Sequence, residues 1–233
     1  MKPTKAYILM IDTDTSREYA KDAAESCDRV GLSWEYFRGY TEKDDPWKNL
    51  PIQSKGKLRV SGKGGAATAG HVHIWQKIAS GNECAVVLEH DAILLHKPNI
   101  DIPDDMMVVL GYKVRDPQNY HHTQAGPPQK IEPRQRHGGA HAYALTPQGA
   151  QTLIRDIEQS GLSTMIDNHY FLRQGNKSKN QKLKLGITDP ICALGWLRKS
   201  TIWNKSAVDN YKPLLQSFQQ NYKSKEDLGL KGP

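Results

Sequence analysis

Ala6-Tyr7-Ile8-Leu9-Met10-Ile11-Asp12-Thr13-Asp14-Thr15-Ser16-Arg17-Glu18 joins a six-residue apolar run to a helix start with only a short polar turn between them. Residues 6–11 predict a buried first strand. Thr15 and Glu18 stand three apart, the spacing at which an N-cap hydroxyl and a carboxylate satisfy each other's backbone amides, so Thr15 is the expected cap. Tyr19, Ala20, Ala23, Ala24, Cys27 and Val30 follow at helical spacing, and Gly31 provides the stop. Residues 32–37 read as a second strand. A strand–helix–strand unit with a right-handed crossover predicts a parallel sheet.

The same grammar continues downstream. Residues 38–64 are loop-like, rich in Gly, Pro, Asp and Lys. A helix over residues 66–79 would bury Ala69, Ile74, Trp75 and Ile78 and close at Gly81. Short strands are expected at 106–110, 140–145 and 182–187. Thr146-Pro147 marks a helix with proline at its first position, presenting Ala150, Leu153, Ile154 and Ile157 and ending at Gly161. A further short helix is expected over 164–173. The irregular stretch 112–137 reads as a functional loop. One domain is expected over residues 1–205, with a polar, peripheral tail from 206 to 233.

Ala85-Val86-Val87-Leu88-Glu89-His90-Asp91-Ala92-Ile93-Leu94-Leu95 holds the chemistry. A buried strand ending in acid-x-acid sets two hard oxygen ligands at the carboxyl edge of a sheet, where open α/β sheets bind their ligands. Carboxylates suit Mg2+ or Mn2+, which usually bridge to substrate phosphates. On a continuing strand Glu89 and Asp91 would face one side and His90 the other.

Composition narrows the partners. The net charge of +7 and pI near 9.2 favour anionic ones, from nucleotide sugars to nucleic acid or an anionic surface. No apolar run approaches the roughly 18 residues of a membrane span, and the opening apolar run is too short for a signal-peptide core, so a cytoplasmic location is the expectation. Three scattered cysteines without a CxxC pair predict buried free thiols, not a disulfide framework. Lys177, Lys179, Lys182 and Lys184 form a basic segment, read as a solvated loop or an anion patch on the acceptor side.

Several of these blocks, in order over roughly residues 5–170, resemble glycosyltransferase family 25, the enzymes of lipopolysaccharide and collagen glycosylation with viral relatives. The first strand and its Asp12–Arg17 turn, Gly70-His71-Val72-His73-Ile74-Trp75, Leu88-Glu89-His90-Asp91-Ala92, Gly138-Gly139-Ala140-His141-Ala142-Tyr143-Ala144-Leu145 and Met165-Ile166-Asp167 are similar to that family's motifs. Where the family carries Glu, Cys and Ser around its Ser-His helix, this chain has Gly64, Ala67 and Gly70, and His90 replaces the middle acid of the triplet.

The resemblance implies an α/β, GT-A-like (Rossmann-like) fold, a mixed, mainly parallel sheet flanked by helices. It also implies a metal-dependent transfer from a nucleoside-diphosphate sugar, UDP-linked, to an acceptor hydroxyl. Asp91 is then the expected metal ligand, and Glu89 a ligand or a contact to the ribose or a metal-bound water. His141 and His169 are candidate further ligands. Asp12, Thr13 and Arg17 are expected at the nucleotide and its phosphates, though Asp12 and Asp14 could equally serve the helix dipole. His71 is expected to line the donor pocket and Trp75 to sit in the core. Ser200 and Thr201 could meet the diphosphate. Asp167 is the candidate general base of an inverting displacement, or else caps the turn that follows it. The acceptor is a saccharide or lipopolysaccharide core by family default. A hydroxymethylated base in DNA, which the positive charge would suit, is an alternative. A different class, a non-catalytic carbohydrate or nucleic-acid binder on a transferase scaffold, also stays open at this point.

Overall fold

The computed structural model describes residues 1–45, 47, 60, 62–113, 125–135, 137, 139–162, 164–172 and 183–195. The first strand, β1 (Pro3–Met10), is followed by α1 (Asp14–Val30) and β2 (Ser33–Arg38). Then come α2 (Gly62–Ala79), β3 (Cys84–Glu89), β4 (Ala92–Leu94), β5 (Met106–Val109) and β6 (Gly111–Lys113). The described chain closes with β7 (Lys130–Arg134), β8 (Ala142–Leu145), α3 (Pro147–Ser160), a π-helical segment (Asp167–Leu172), β9 (Lys184–Asp189) and β10 (Ala193–Gly195).

Seven strands form the main sheet in the order β2-β1-β3-β8-β5-β9-β7. β1 lies parallel to both β2 and β3, and β5 parallel to β9, while β8 and β7 run the opposite way. The sheet is therefore mixed and mainly parallel, as expected. A smaller sheet, β4-β10-β6, was not foreseen, because three-residue strands leave no periodicity to read.

Alternation along the central strands sorts their side chains onto two covered faces. Tyr7, Leu9, Val87, Val109, Tyr143 and Leu145 join one apolar cluster with Val72, Ile74, Trp75 and Ile78 of α2 and Leu153 and Ile157 of α3. Ile8, Val86, Leu88, Val108, Ala142 and Ala144 join another, with Ala20, Ala23, Ala24 and Cys27 of α1 and Leu94 and Ala193 of the small sheet. Burial on both faces explains why β3 reads as a continuous apolar run. All three cysteines are free and buried.

The local signals were mostly right, with corrections. The helix α1 is capped by Thr13, not Thr15: the Thr13 hydroxyl accepts from the Ser16 amide at 3.3 Å. The reason lies in Ser16, whose buried Oγ accepts the Ile11 amide at 3.0 Å and fixes the turn one residue pair earlier. Gly31 stops the helix with φ of 66°, a left-handed conformation that glycine adopts without steric cost. Thr146 caps α3 as read, accepting from the Gly149 amide at 3.1 Å. The stretch 112–137 is not all loop: residues 130–134 form the edge strand β7, which tolerates Pro133 because an edge position needs no ladder from both sides. The expectation of one strand carrying both acids also fails. β3 ends at Glu89, and the chain turns at His90-Asp91 before resuming as β4 in the small sheet.

Candidate active site at the carboxyl edge of the sheet

Parallel pairing sets Leu9 opposite Glu89, so β1 and β3 deliver their carboxyl ends to one edge. Asp12 and Thr13 leave β1 there, and His90 and Asp91 leave β3 there. β8 runs the other way and so begins at this edge, where the His141 carbonyl accepts the Glu89 amide at 2.8 Å. Glu89, His90 and Asp91 are all partly exposed.

The turn separates the triplet's side chains between helices. The His90 ring stacks on Tyr19 of α1, with centroids 5.8 Å apart and planes 22° apart. Glu89 faces α2 instead: its Oε1 lies 3.5 Å from His71 Nε2. His71 Nδ1 is 2.8 Å from the Tyr143 hydroxyl, and that hydroxyl accepts the Trp75 indole N–H at 2.7 Å. Trp75 and Tyr143 have no exposed surface and His71 has 1%, whereas the Glu89 side chain keeps 21%. A buried line of polar contacts thus runs from the core to the partly open carboxylate. Burial pushes the Tyr143 phenol well above its ordinary range; the Trp75 hydrogen bond works against that shift, and the Glu89 and Asp167 carboxylates add to it.

Asp167 opens the π-helical segment. Tyr170 and Phe171 anchor that segment from beneath. The Tyr170 hydroxyl donates to Asp156 of α3 at 2.9 Å, and its ring meets Trp75 edge-on at 5.5 Å. Phe171 meets Tyr143 edge-on at the same separation. The π-helical geometry, uncommon and frequent at functional sites, therefore rests on the same two aromatic residues that support His71. Asp167 and Glu89 act electrostatically on one phenol from two different elements.

The remaining sequence-derived residues fall into three groups. Arg17, on the exposed first turn of α1, is ion-paired to Asp12 in the turn before the helix and, at 2.6 Å, to Asp14 at its start. Those carboxylates hold the Arg17 guanidinium above its ordinary range, the Asp14 hydrogen bond most of all. Thr13 spends its hydroxyl on the cap. The His141 ring is fully buried, 6.0 Å from that of His137, and His169 Nε2 lies 3.9 Å from the Asp156 carboxylate. Among the described residues, no three His, Cys, Asp or Glu side chains converge as a ready-made metal cage. Ser200, Thr201, the basic segment 177–182 and the tail from 206 lie outside the described residues. Tyr143 is the functional candidate that the sequence reading gave no role. Its signal was its place in the Gly138–Leu145 block that resembles a family motif, which names no role for the phenol.

A family model described as glycosyltransferase family 25 (LPS biosynthesis protein) matches residues 4–169. Among solved structures, the chain is similar to an active-site mutant of LgtC at 10% identity and a TM-score of 0.37, covering 91% of this chain and 95% of that one. It is similar to the apo glycosyltransferase GlyE of Streptococcus pneumoniae TIGR4 at 11% identity and a TM-score of 0.42, covering 94% of this chain and 64% of that one. It is also similar to a glycosyltransferase involved in glycosylation of the major capsid of PBCV-1, at 11% identity and a TM-score of 0.40, covering 92% of each chain. No curated protein sequence matches. These structural likenesses are distant, and the assignment rests on the family match, which spans more than half of the chain and takes in every motif from β1 to Asp167. The chain belongs to glycosyltransferase family 25.

Proposed function

We propose that this glycosyltransferase moves a sugar from a nucleoside-diphosphate donor, UDP-linked, to an acceptor hydroxyl with inversion, using Mn2+ or Mg2+ held by Asp91 and Glu89. One observation carries the reading: β3 ends at Glu89 and Asp91 stands in the turn just beyond it, both partly exposed at the carboxyl edge of the sheet. The donor set fits the ion. Hard divalent cations of this kind take one or two protein carboxylates and complete their shell with substrate phosphates and water. His141, fully buried, is not needed for such a site.

When bound, the ion would neutralise charge developing on the leaving diphosphate. The chain's own residues do the rest. Asp167, steadied by Tyr170 and Phe171, takes the proton from the acceptor hydroxyl. The acceptor oxygen bonds to the anomeric carbon as the carbon–oxygen bond to the diphosphate breaks, its electron pair leaving with the diphosphate. Asp12 and Thr13 border the nucleotide from the β1 side. Arg17 reaches a phosphate by giving up one of its two carboxylates, an exchange that its exposure makes cheap. The family's description favours a lipopolysaccharide saccharide as acceptor.

A labelled-donor assay tests this directly, with saccharide and hydroxymethylated-DNA acceptors side by side and Asp167→Asn beside the unaltered protein. Transfer to the saccharide is expected, with kcat in the variant reduced by about 10²–10⁴ and donor KM little changed. Full activity in Asp167→Asn removes it as the base. Transfer to DNA alone would replace the saccharide reading, and no transfer from any donor would favour a binding protein on this scaffold.

A further inference from the structure

We infer that His71 is a positioning residue: it holds the Glu89 carboxylate through Nε2–H, and Trp75 and Tyr143 fix it in the tautomer that can do so. This rests on Glu89 belonging to the donor site, as proposed above.

The direction of each hydrogen bond follows from what each group is able to give. An indole N–H only donates, so at 2.7 Å the Tyr143 oxygen is the acceptor. That leaves the Tyr143 hydroxyl proton for its other neighbour, His71 Nδ1, at 2.8 Å. Nδ1 therefore accepts and carries no proton, and the imidazole proton sits on Nε2. Nε2 is the nitrogen that faces Glu89 Oε1, at 3.5 Å. A small movement of the partly exposed carboxylate closes that gap to hydrogen-bond length.

Burial makes the relay one-way. With Trp75 and Tyr143 wholly enclosed and His71 at 1% exposure, no water competes for the phenol or the imidazole. Tyr143 is also locked by its ring neighbours, His71 at 5.8 Å and Phe171 at 5.5 Å. The far end is the one member that meets solvent, so the relay's output is the orientation of Glu89. Partners of this kind, one step removed from a metal or donor ligand, typically change affinity or activity by about 10–100-fold when replaced. His71 is then no wall of the donor pocket. It acts on the donor only through Glu89.

Two measurements test the relay. In the unaltered protein, 15N spectra of the histidine side chains should show His71 protonated at Nε2 and bare at Nδ1, and Tyr143→Phe should blur that assignment into a tautomer mixture. Binding of UDP with Mn2+ should then weaken about 10–100-fold in Tyr143→Phe and in His71→Asn. It should be largely kept in His71→Gln, whose amide nitrogen reaches the Nε2 position while that of asparagine falls at Nδ1. A merely structural His71 would make asparagine and glutamine equally harmful. An Nδ1–H signal in the unaltered protein, or equal binding by His71→Asn and His71→Gln, overturns the inference. Glu89→Gln separates the two proposals. If it abolishes UDP–Mn2+ binding while His71→Asn does not weaken it, the relay fails and the donor site stands. If Glu89→Gln binds normally, both fall.

Discussion

His73 stands two residues from His71 on α2, yet it serves a different contact. Its Nδ1 hydrogen-bonds the Tyr40 hydroxyl, and the two rings meet edge-on at 4.9 Å. Burial holds the His73 imidazole below its ordinary range. A histidine depressed in the fold binds fewer protons than in the unfolded chain between its folded value and about 6.5. Stability from this residue is complete above that upper limit and falls as pH drops through the window. Thermal unfolding followed from pH 7.5 to 5 should therefore show a steeper loss in the unaltered protein than in His73→Gln. Parallel curves for the two would contradict the assignment. Among single residues, the acids were legible and their partners were not. Glu89 and Asp91 announce themselves by interrupting an apolar run. Tyr143 does not, because its hydroxyl is used by His71 and Trp75, 72 and 68 positions away in sequence.

The helix α2 shows what a sequence pattern conveys about an element and what it leaves out. Its start was expected at residue 66, after a stretch 38–64 that reads as loop for its Gly, Pro, Asp and Lys; the helix begins at Gly62. Packing overrides propensity here. A side-chain carbon at Gly65 would sit 2.6 Å from the Val60 carbonyl oxygen, and one at Gly64 2.7 Å from Met165 Sδ. Gly64 stands where the family has Glu, and its missing side chain is what lets α2 close on the segment that leads into Asp167. Gly65→Ala should consequently lower the melting temperature. The helix-propensity gain of about 1 kcal/mol is outweighed by an overpacking cost of about 1–3 kcal/mol against backbone that cannot yield. A variant more stable than the parent would show that the amino end of α2 is not packed this closely. Caps and stops were read well at Gly31, Thr146 and Gly161, because each depends on neighbours within a few residues. The strands β4, β6 and β10 escaped notice because their pairing is made with distant segments.

Over the whole molecule, strand direction decides where chemistry collects. β1 and β3 point their carboxyl ends the same way, β8 begins at that edge, and the π-helical segment packs its Tyr170 and Phe171 rings on Trp75 and Tyr143. The strand–helix–strand opening was enough to predict parallel pairing around β1. The reversal at β8 was not legible, since nothing in a four-residue apolar strand states its direction. Among the described residues no helix is long and apolar enough to cross a membrane. The excess of positive charge suits a diphosphate ligand without naming it. Thermal shift with UDP, in the presence and absence of Mn2+, on the unaltered protein and on Asp91→Asn, tests the site most directly. A ligand at about 100 times its dissociation constant stabilises by about 2.7 kcal/mol, which for a chain of this size raises the midpoint by about 5–10 °C. The expected result is that rise with UDP and Mn2+ together, a much smaller one with UDP alone, and loss of the Mn2+-dependent part in Asp91→Asn. An equal rise in Asp91→Asn, or none in the unaltered protein at saturating UDP and Mn2+, would contradict a cation-held diphosphate at the end of β3.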